Sequence, residues 1–316
     1  MSVASASTGI GTTATARACL PGPGRTSPAG GYVGRFAPSP TGALHLGSLV
    51  AAVGSFLDAR RHGGRWLVRM EDLDRERCLP GCAPQILATL EALGLAWDGR
   101  VEYQSERTAR YLEALQRLTS RELTFECSCS RRELTVEPYP GTCRSGPAHP
   151  GPTATRFRVD PGASISFDDR LQGAQHVALA TLGDVVIRRR DGAFAYQLAV
   201  VVDDHEQGVS DVVRGADLLP STGWQLALQH ALGLPSPRYA HLPVVVDGEH
   251  GKLSKSRRSL ALAHARPGAQ LCTALCLLGL KPPSQLADAR PETVLDWARE
   301  HWEIQALKGV QQVTAP

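Results

Sequence analysis

The chain carries 34 basic residues, but only four are lysines: Lys252, Lys255, Lys281 and Lys308. Two of these sit three residues apart in the run GKLSKS at 251–256. Glycine at 251 and serines at 254 and 256 make this run a flexible polar loop. Arginine's rigid fork suits a static carboxylate or phosphate face, whereas a lysine ammonium is a compact, mobile point charge. Lys252 and Lys255 can therefore follow negative charge as it builds on a phosphate in a transition state, with Lys255 the first choice for contact. The competing reading is a solvated basic loop extended by Arg257 and Arg258.

A second run, PSPTGALHLGS at 38–48, points to the same chemistry. A proline- and glycine-bearing loop ends there where a helix begins, so free backbone N–H groups and the positive end of the helix dipole can receive phosphate. His45 can donate to phosphate oxygens, and Gly47 lets a flat base approach the backbone. Taken alone, the run also reads as a turn with a capping histidine. A third cluster is CSCSRRELTVEPYPGTC, with Cys127, Cys129 and Cys143. Three thiolates suit a structural zinc ion, which takes four ligands, and His149 follows six residues after Cys143. The alternative is three buried free cysteines.

The elements that must position these groups follow from local pattern. YVGRFA reads as a strand, PSPTG as a loop, Leu46 to Arg61 as a helix stopped by Gly63 and Gly64, and RWLVRM as the next strand. A strand–loop–helix–strand unit implies an α/β fold with a Rossmann-type, doubly wound parallel sheet. Helical patterns follow at 82–94 and 105–119. Residues 120–185 are rich in proline and glycine, with short strand-like pieces (TRFRV, SISFDD), and read as an insertion carrying the zinc site. Strand signals resume in GDVVIRRRDG and in AYQLAVVVDDHEQGVSDVVRG, followed by a helix in STGWQLALQHALG. The expected organisation is a nucleotide-binding domain in two halves, 31–119 and 186–256, split by the 120–185 insertion. A small helical segment, 257–316, follows.

Composition narrows the class. Hydrophobic residues make up 42% and charged residues 21%, ordinary values for a globular protein, and the formal charge of +3 permits an anionic partner without demanding one. No apolar run approaches the roughly 18–20 residues of a membrane span. Residues 1–30 are small, polar and acid-free. They read as a disordered tail, with a targeting peptide as the alternative. Eight cysteines in a chain of this size with no secretory signal suit a reducing cytoplasm; a monomer is the expected state, on no sequence signal of its own.

The HLGS and KLSKS runs resemble the two signature motifs of class I aminoacyl-tRNA synthetases, with Ser48 where the first motif ends in histidine. GRFAPSPTGALHLGSL, RMEDLD (69–74), YQLAVVVDD (196–204) and DVVRGADLLPST (211–222) resemble the glutamate-specific branch of that family. The resemblance implies glutamate contacts at Arg35, Phe36, Ala37, Pro38 and Ser39, and at Glu71, Tyr196 and Arg214. The residue types suit this: arginine binds a distal carboxylate bidentately, with Arg35 and Arg214 the candidates. Glu71 suits an α-ammonium group, Tyr196 and Ser39 add hydrogen bonds, and Asp203 or Asp204 orients them. ATP contacts are implied at His45, Gly47, Ser48, Lys252, Ser254 and Lys255, with His45, Lys252 and Lys255 catalytic and Mg²⁺ on the leaving pyrophosphate. The resemblance also offers Tyr139 as the fourth zinc ligand.

Only residues 257–316 follow the KLSKS run, too few for a separate anticodon-reading domain. Within the branch the chain is similar to the group that activates glutamate without tRNA and joins it to queuosine, the wobble base of tRNA(Asp). The vicinal diol of queuosine resembles a terminal ribose, so an anticodon stem-loop with its base splayed out is the implied partner. The alternative is a shortened glutamyl-tRNA synthetase that charges the tRNA 3′ end.

Overall fold

The computed structural model describes residues 19–20, 31–130, 132–134, 137–247, 251–252 and 266–316. Most of the N-terminal tail, and Ser254 and Lys255 of the lysine run, lie outside the described residues. Within the tail, β1 (Cys19–Leu20) is a two-residue strand.

The first unit runs β2 (Val33–Phe36), α1 (Leu46–Arg61), β3 (Arg65–Met70). Strands β2 and β3 pair in parallel, Val33 opposite Arg65 through Phe36 opposite Val68. A Cβ at Gly64 would lie 2.4 Å from the Tyr32 carbonyl oxygen, so only glycine lets the chain turn from α1 into β3 beside β2. Helix α1 is buried on nearly every side, through Leu49, Val53 and Leu57 among others. Its Asp58 accepts hydrogen bonds from Tyr32 Oη at 2.5 Å and from Arg170 at 2.6 and 3.0 Å. A buried carboxylate needs such partners.

Next come α2 (Cys82–Ala92), β4 (Glu102–Tyr103), which extends β3 in parallel, and α3 (Thr108–Thr119). Then follow β5 (Thr124–Cys127), β6 (Ala154–Phe157), the hairpin of β7 (Ser164–Asp169) and β8 (Gly173–Ala178), the single turn α4 (Leu179–Leu182), and β9 (Val185–Arg188). Strands β5, β6 and β9 form a separate antiparallel sheet. Strand β7 also falls inside 120–185, yet it pairs in parallel with β1 and with β11 of the main sheet. Of that stretch, β5 and β6 stand apart, in a sheet completed by β9 at its C-terminal edge.

The second half holds α5 (Tyr196–Glu206), β10 (Asp211–Gly215), α6 (Thr222–Leu232), β11 (Arg238–Leu242), β12 (Val244–Asp247) and β13 (Gly251–Lys252). One expectation is corrected here: Tyr196–Glu206 is a helix, not a strand. Its valine-rich run is buried throughout, from Leu198 to Asp204. A short, wholly buried apolar run carries no period that separates strand from helix, and packing decides. Strands β10 and β11 pair in parallel, with Arg214 opposite His241. The two halves join where the Ser210 N–H donates to the Val33 carbonyl at 2.9 Å and the Val33 N–H donates to Ser210 Oγ at 2.8 Å. From that junction β2 leads to β3 on one side and β10 to β11 on the other.

The C-terminal part holds α7 (Pro267–Leu277), α8 (Pro291–His301) and β14 (Gln312–Thr314). Both helices pack on α1. Strand β14 pairs in parallel with β12, whose other edge carries β13 at the start of the lysine run. Among the described residues no helix is long and apolar enough to cross a membrane.

Candidate active site

The strand junction sets the place for a ligand. In open α/β sheets ligands bind beyond the carboxyl ends of the strands, where the chain direction diverges. Here that crevice is a cavity of about 850 Å³. It gathers Arg35 to Ser39 from the end of β2, Glu71 from the end of β3, Tyr196 from the start of α5, and Arg214 from β10. His45, Gly47 and Ser48 at the start of α1 line the same cavity. Every predicted glutamate-contact residue therefore meets the predicted phosphate cradle in one space. Lys252 enters the description only as a strand residue, and Ser254 and Lys255 lie outside it.

Charge in the pocket is arranged unevenly. Arg35 Nε lies 3.2 Å from Asp204 Oδ1, and Arg69 Nη2 lies 2.7 Å from the same oxygen. Burial works against Asp204, yet the two guanidinium groups hold its carboxyl below the usual range. Its neighbour Asp203 accepts from Tyr111 Oη at 2.9 Å, Gln104 Nε2 at 2.8 Å and Arg107 Nε at 2.6 Å. Both acids sit in the last turns of α5, so the helix that places Tyr196 also carries the counter-charges.

Arg214 differs. It is buried, with 5% of its surface exposed, and its partners are neutral. It donates to Thr222 Oγ1 at 2.9 Å, Tyr196 Oη at 3.3 Å, the Leu218 carbonyl at 3.4 Å and His241 Nε2 at 3.0 Å. Among the described residues no carboxylate forms an ion pair with it. A buried cation held by neutral acceptors can pair with an anion from outside the fold.

Glu71 is the complementary case. Its backbone N–H donates to the Pro38 carbonyl at 2.9 Å. Its Oε1 is buried without a hydrogen-bond donor and stands 3.8 Å from Arg69 Nη2. Burial pushes its carboxyl up to about 7, against the opposing pull of Arg69 and Arg35. An incoming ammonium group would satisfy the oxygen and restore the charge.

At the α1 N-terminus, His45 Nδ1 accepts the Ser48 N–H at 3.2 Å, and Nε2 lies 3.1 Å from Ser48 Oγ. Acceptance at Nδ1 assigns the proton to Nε2, which then donates to the serine oxygen. Ser48 thereby acts together with His45 on one hydrogen-bonding unit. A Cβ at Gly47 would lie 3.2 Å from His45 Cε1, so glycine here also leaves room for the imidazole.

The cysteine cluster lies apart, beside the β5–β6–β9 sheet. The sulfurs of Cys127, Cys129 and Cys143 all fall within 4.8 Å of one another. Tetrahedral zinc, with Zn–S near 2.3 Å, separates its sulfurs by about 3.8 Å, so the spacing fits. Tyr139 Oη stands 3.5 Å from Cys127 Sγ and 3.9 Å from Cys129 Sγ. His149 instead places Nε2 2.8 Å from Glu133 Oε1. Burial pushes the Cys129 thiol up to about 11. Burial also opposes ionisation of Cys143, but hydrogen bonds from Ala148, Tyr139 and Ser128 bring it down to about 6.

Some site residues escaped the motif reading: Arg69 as the partner of Asp204, and Thr222, His241 and Asp169 around Arg214. The one available signal was register. A histidine in RYAHLP faces Arg214 only once β10 and β11 are aligned.

The chain belongs to the family described as tRNA synthetases class I (E and Q), catalytic domain, whose model matches residues 32–139 and 139–287. It is 51% identical over 294 residues to a glutamyl-Q tRNA(Asp) synthetase of Aromatoleum aromaticum, covering 90% of this chain and 93% of that protein. It is 53% identical over 294 residues to the enzyme of that name from Thiobacillus denitrificans, covering 90% and 97%. Among solved structures, a glutamate tRNA ligase from Elizabethkingia meningosepticum in complex with its amino acid superposes with a TM-score of 0.72 at 24% identity. That alignment covers 90% of this chain and 67% of the ligase and speaks for the fold alone.

Proposed function

We propose that the protein activates L-glutamate with ATP, without needing tRNA, and transfers the glutamyl group to the cyclopentene-diol of queuosine in the anticodon stem-loop of tRNA(Asp). The observation that carries the glutamate part is Arg214, a buried guanidinium with only neutral partners among the described residues. It takes the distal carboxylate together with Tyr196, while Arg35, already held by Asp204, frames the pocket with Phe36 to Ser39. Glu71 takes the α-ammonium group. The names of the relatives at 51–53% identity support the choice of queuosine as acceptor.

Two steps follow. ATP enters as its Mg²⁺ complex, and an α-carboxylate oxygen of glutamate attacks the α-phosphorus, forming glutamyl-adenylate and releasing pyrophosphate. The His45–Ser48 pair and the α1 N-terminus hold phosphate oxygens, Gly47 faces the nucleotide, and Lys252, Ser254 and Lys255 supply charge and hydrogen bonds to the departing phosphates. A queuosine hydroxyl then attacks the activated carbonyl and AMP leaves. Positioning and electrostatics supply the rate, with no covalent enzyme intermediate. One structural zinc on Cys127, Cys129, Cys143 and Tyr139 would pin the β5–β6–β9 sheet without entering the reaction. The parallel pairs β2–β3 and β10–β11 on either side of the Val33–Ser210 junction supply the Rossmann-type core of this scheme, and a cytoplasmic monomer suffices for it.

The test offers radiolabelled glutamate and ATP with tRNA(Asp) bearing queuosine, with tRNA(Asp) lacking it, and with tRNA(Glu). Label on the first alone is expected. Label on tRNA(Glu), and none on queuosine-bearing tRNA(Asp), would establish 3′-end charging instead.

A further inference from the structure

Arg214 is fixed on its Nε side by one residue that no motif includes. His241 on β11 is the register partner of Arg214 on β10, so parallel pairing puts both side chains on the same face of the sheet. The imidazole is fully buried. Its Nε2 lies 3.0 Å from Arg214 Nε, and its Nδ1 lies 2.5 Å from Asp169 Oδ2. A guanidinium nitrogen is only a donor, so Nε2 must accept and the ring proton must sit on Nδ1, facing the carboxylate.

Asp169 is held in turn. Its Oδ1 accepts backbone N–H groups of Leu171 at 3.0 Å, Gln172 at 2.9 Å and His241 at 3.2 Å. Backbone geometry thus fixes the carboxylate, the carboxylate fixes the tautomer, and the tautomer offers Arg214 a lone pair. The carboxylate stays one ring away from the guanidinium. Were an acid in direct contact with Arg214, as Asp204 is with Arg69, the cation would already be neutralised.

We infer that His241, oriented by Asp169, is a positioning residue that aims Arg214 at the distal carboxylate of the amino acid while leaving its charge uncompensated. This rests on the glutamate reading above. The neutral acceptor combines two effects. It blocks rotation of the guanidinium about its Nε side, which a packed apolar residue could not, and it keeps the full positive charge for substrate, which a carboxylate could not.

Two substitutions separate aiming from packing. Asparagine at 241 places its amide N–H near the Nδ1 position and keeps the bond to Asp169, but leaves Arg214 Nε without an acceptor. Glutamine reaches the Nε2 position with its carbonyl oxygen and keeps the acceptor. Glutamate-dependent exchange of pyrophosphate into ATP is measured for the wild-type protein, His241→Asn and His241→Gln. For His241→Asn, KM for glutamate should rise about tenfold or more, with kcat within about threefold and KM for ATP unchanged. For His241→Gln the rise should stay near threefold, a rescue by the variant that preserves the acceptor.

Equal glutamate KM values in the two variants, or matching rises in KM for ATP, would overturn the inference and leave the activity reading intact. If His241→Asn does not fold by circular dichroism, His241→Gln decides. A folded glutamine variant with a glutamate KM raised about tenfold or more overturns the inference, and one near threefold supports it. A wild-type protein without any glutamate-dependent exchange would remove the activity reading, and this inference with it.

Discussion

The cavity at the strand junction gathers side chains from distant segments and the cysteine cluster draws on one short stretch, and the two are built on opposite plans. In the pocket the protein's own charges answer one another: Asp204 serves Arg35 and Arg69, and Asp203 serves Tyr111, Gln104 and Arg107. Among the described residues, Arg214 forms no ion pair and Glu71 Oε1 has no hydrogen-bond donor. The cysteine cluster has the reverse balance, with three soft donors and a phenol converging and the Arg156 guanidinium stacked 3.9 Å from the Tyr139 ring centre. One region holds its shape and lacks a ligand's charge. The other gathers donors whose convergence a cation would stabilise. Damage to the first should therefore cost activity, and damage to the second should cost stability.

The largest effect expected is on the pocket side. Arg214→Ala removes the uncompensated cation and should lower kcat/KM for glutamate about 10²–10³-fold, since truncating one partner of a buried charge pair costs about 3–4 kcal/mol. The melting temperature should fall less than for a cluster variant, because loss of the unpaired buried charge offsets part of the loss of its four hydrogen bonds. Pyrophosphate exchange and a thermal melt on the same preparation check both halves. A large fall in melting temperature would erase the contrast between the regions.

The second effect belongs to the cluster. Cys143→Ser should lower bound zinc, read by elemental analysis, and reduce stability by about 2–3 kcal/mol, as loss of a structural ligand does. Glutamate-dependent exchange at low temperature should stay within about threefold of wild type, since no cluster residue lines the cavity. A proportionate loss of exchange would mean that the cluster reaches the active site.

The two regions were also legible in the sequence to different degrees. Cys127, Cys129 and Cys143 are close in the chain, so spacing alone brought them together. The pocket was legible where a motif is a continuous loop, as in Arg35 to Ser39 and His45 to Ser48, whose backbone carries its own geometry. It was not legible where tertiary alignment does the work. Tyr196–Glu206 reads as a strand because three consecutive valines favour one, yet a run buried on all sides carries no period to tell the two apart, and the helix it forms puts Asp203 and Asp204 beside the arginines. Glu71 reads as one acid in an exposed-looking run, RMEDLD, and nothing in that run reveals that burial pushes its carboxyl up to about 7. His241 depends on the alignment of two strands that are 27 positions apart at that pair.

Glu71 supplies the finest division between a pocket completed by charge and one merely shaped for its ligand. With its carboxyl held up to about 7, Glu71 is mostly protonated at pH 6 and mostly ionised at pH 8 in the unliganded protein. An α-ammonium group binds the ionised form, whereas glutamate's own charges do not change across this window. The sign follows: affinity for glutamate should strengthen as pH rises from 6 to 8, by up to about tenfold, and binding at pH 6 should release a proton. Calorimetry in two buffers of different ionisation enthalpy reads the proton directly. Glu71→Gln should flatten the profile and weaken binding at pH 8, because a neutral amide never gains the charge. A wild-type profile that is already flat would mean that Glu71 is ionised before the amino acid arrives, and that Arg69 and Arg35 outweigh burial after all.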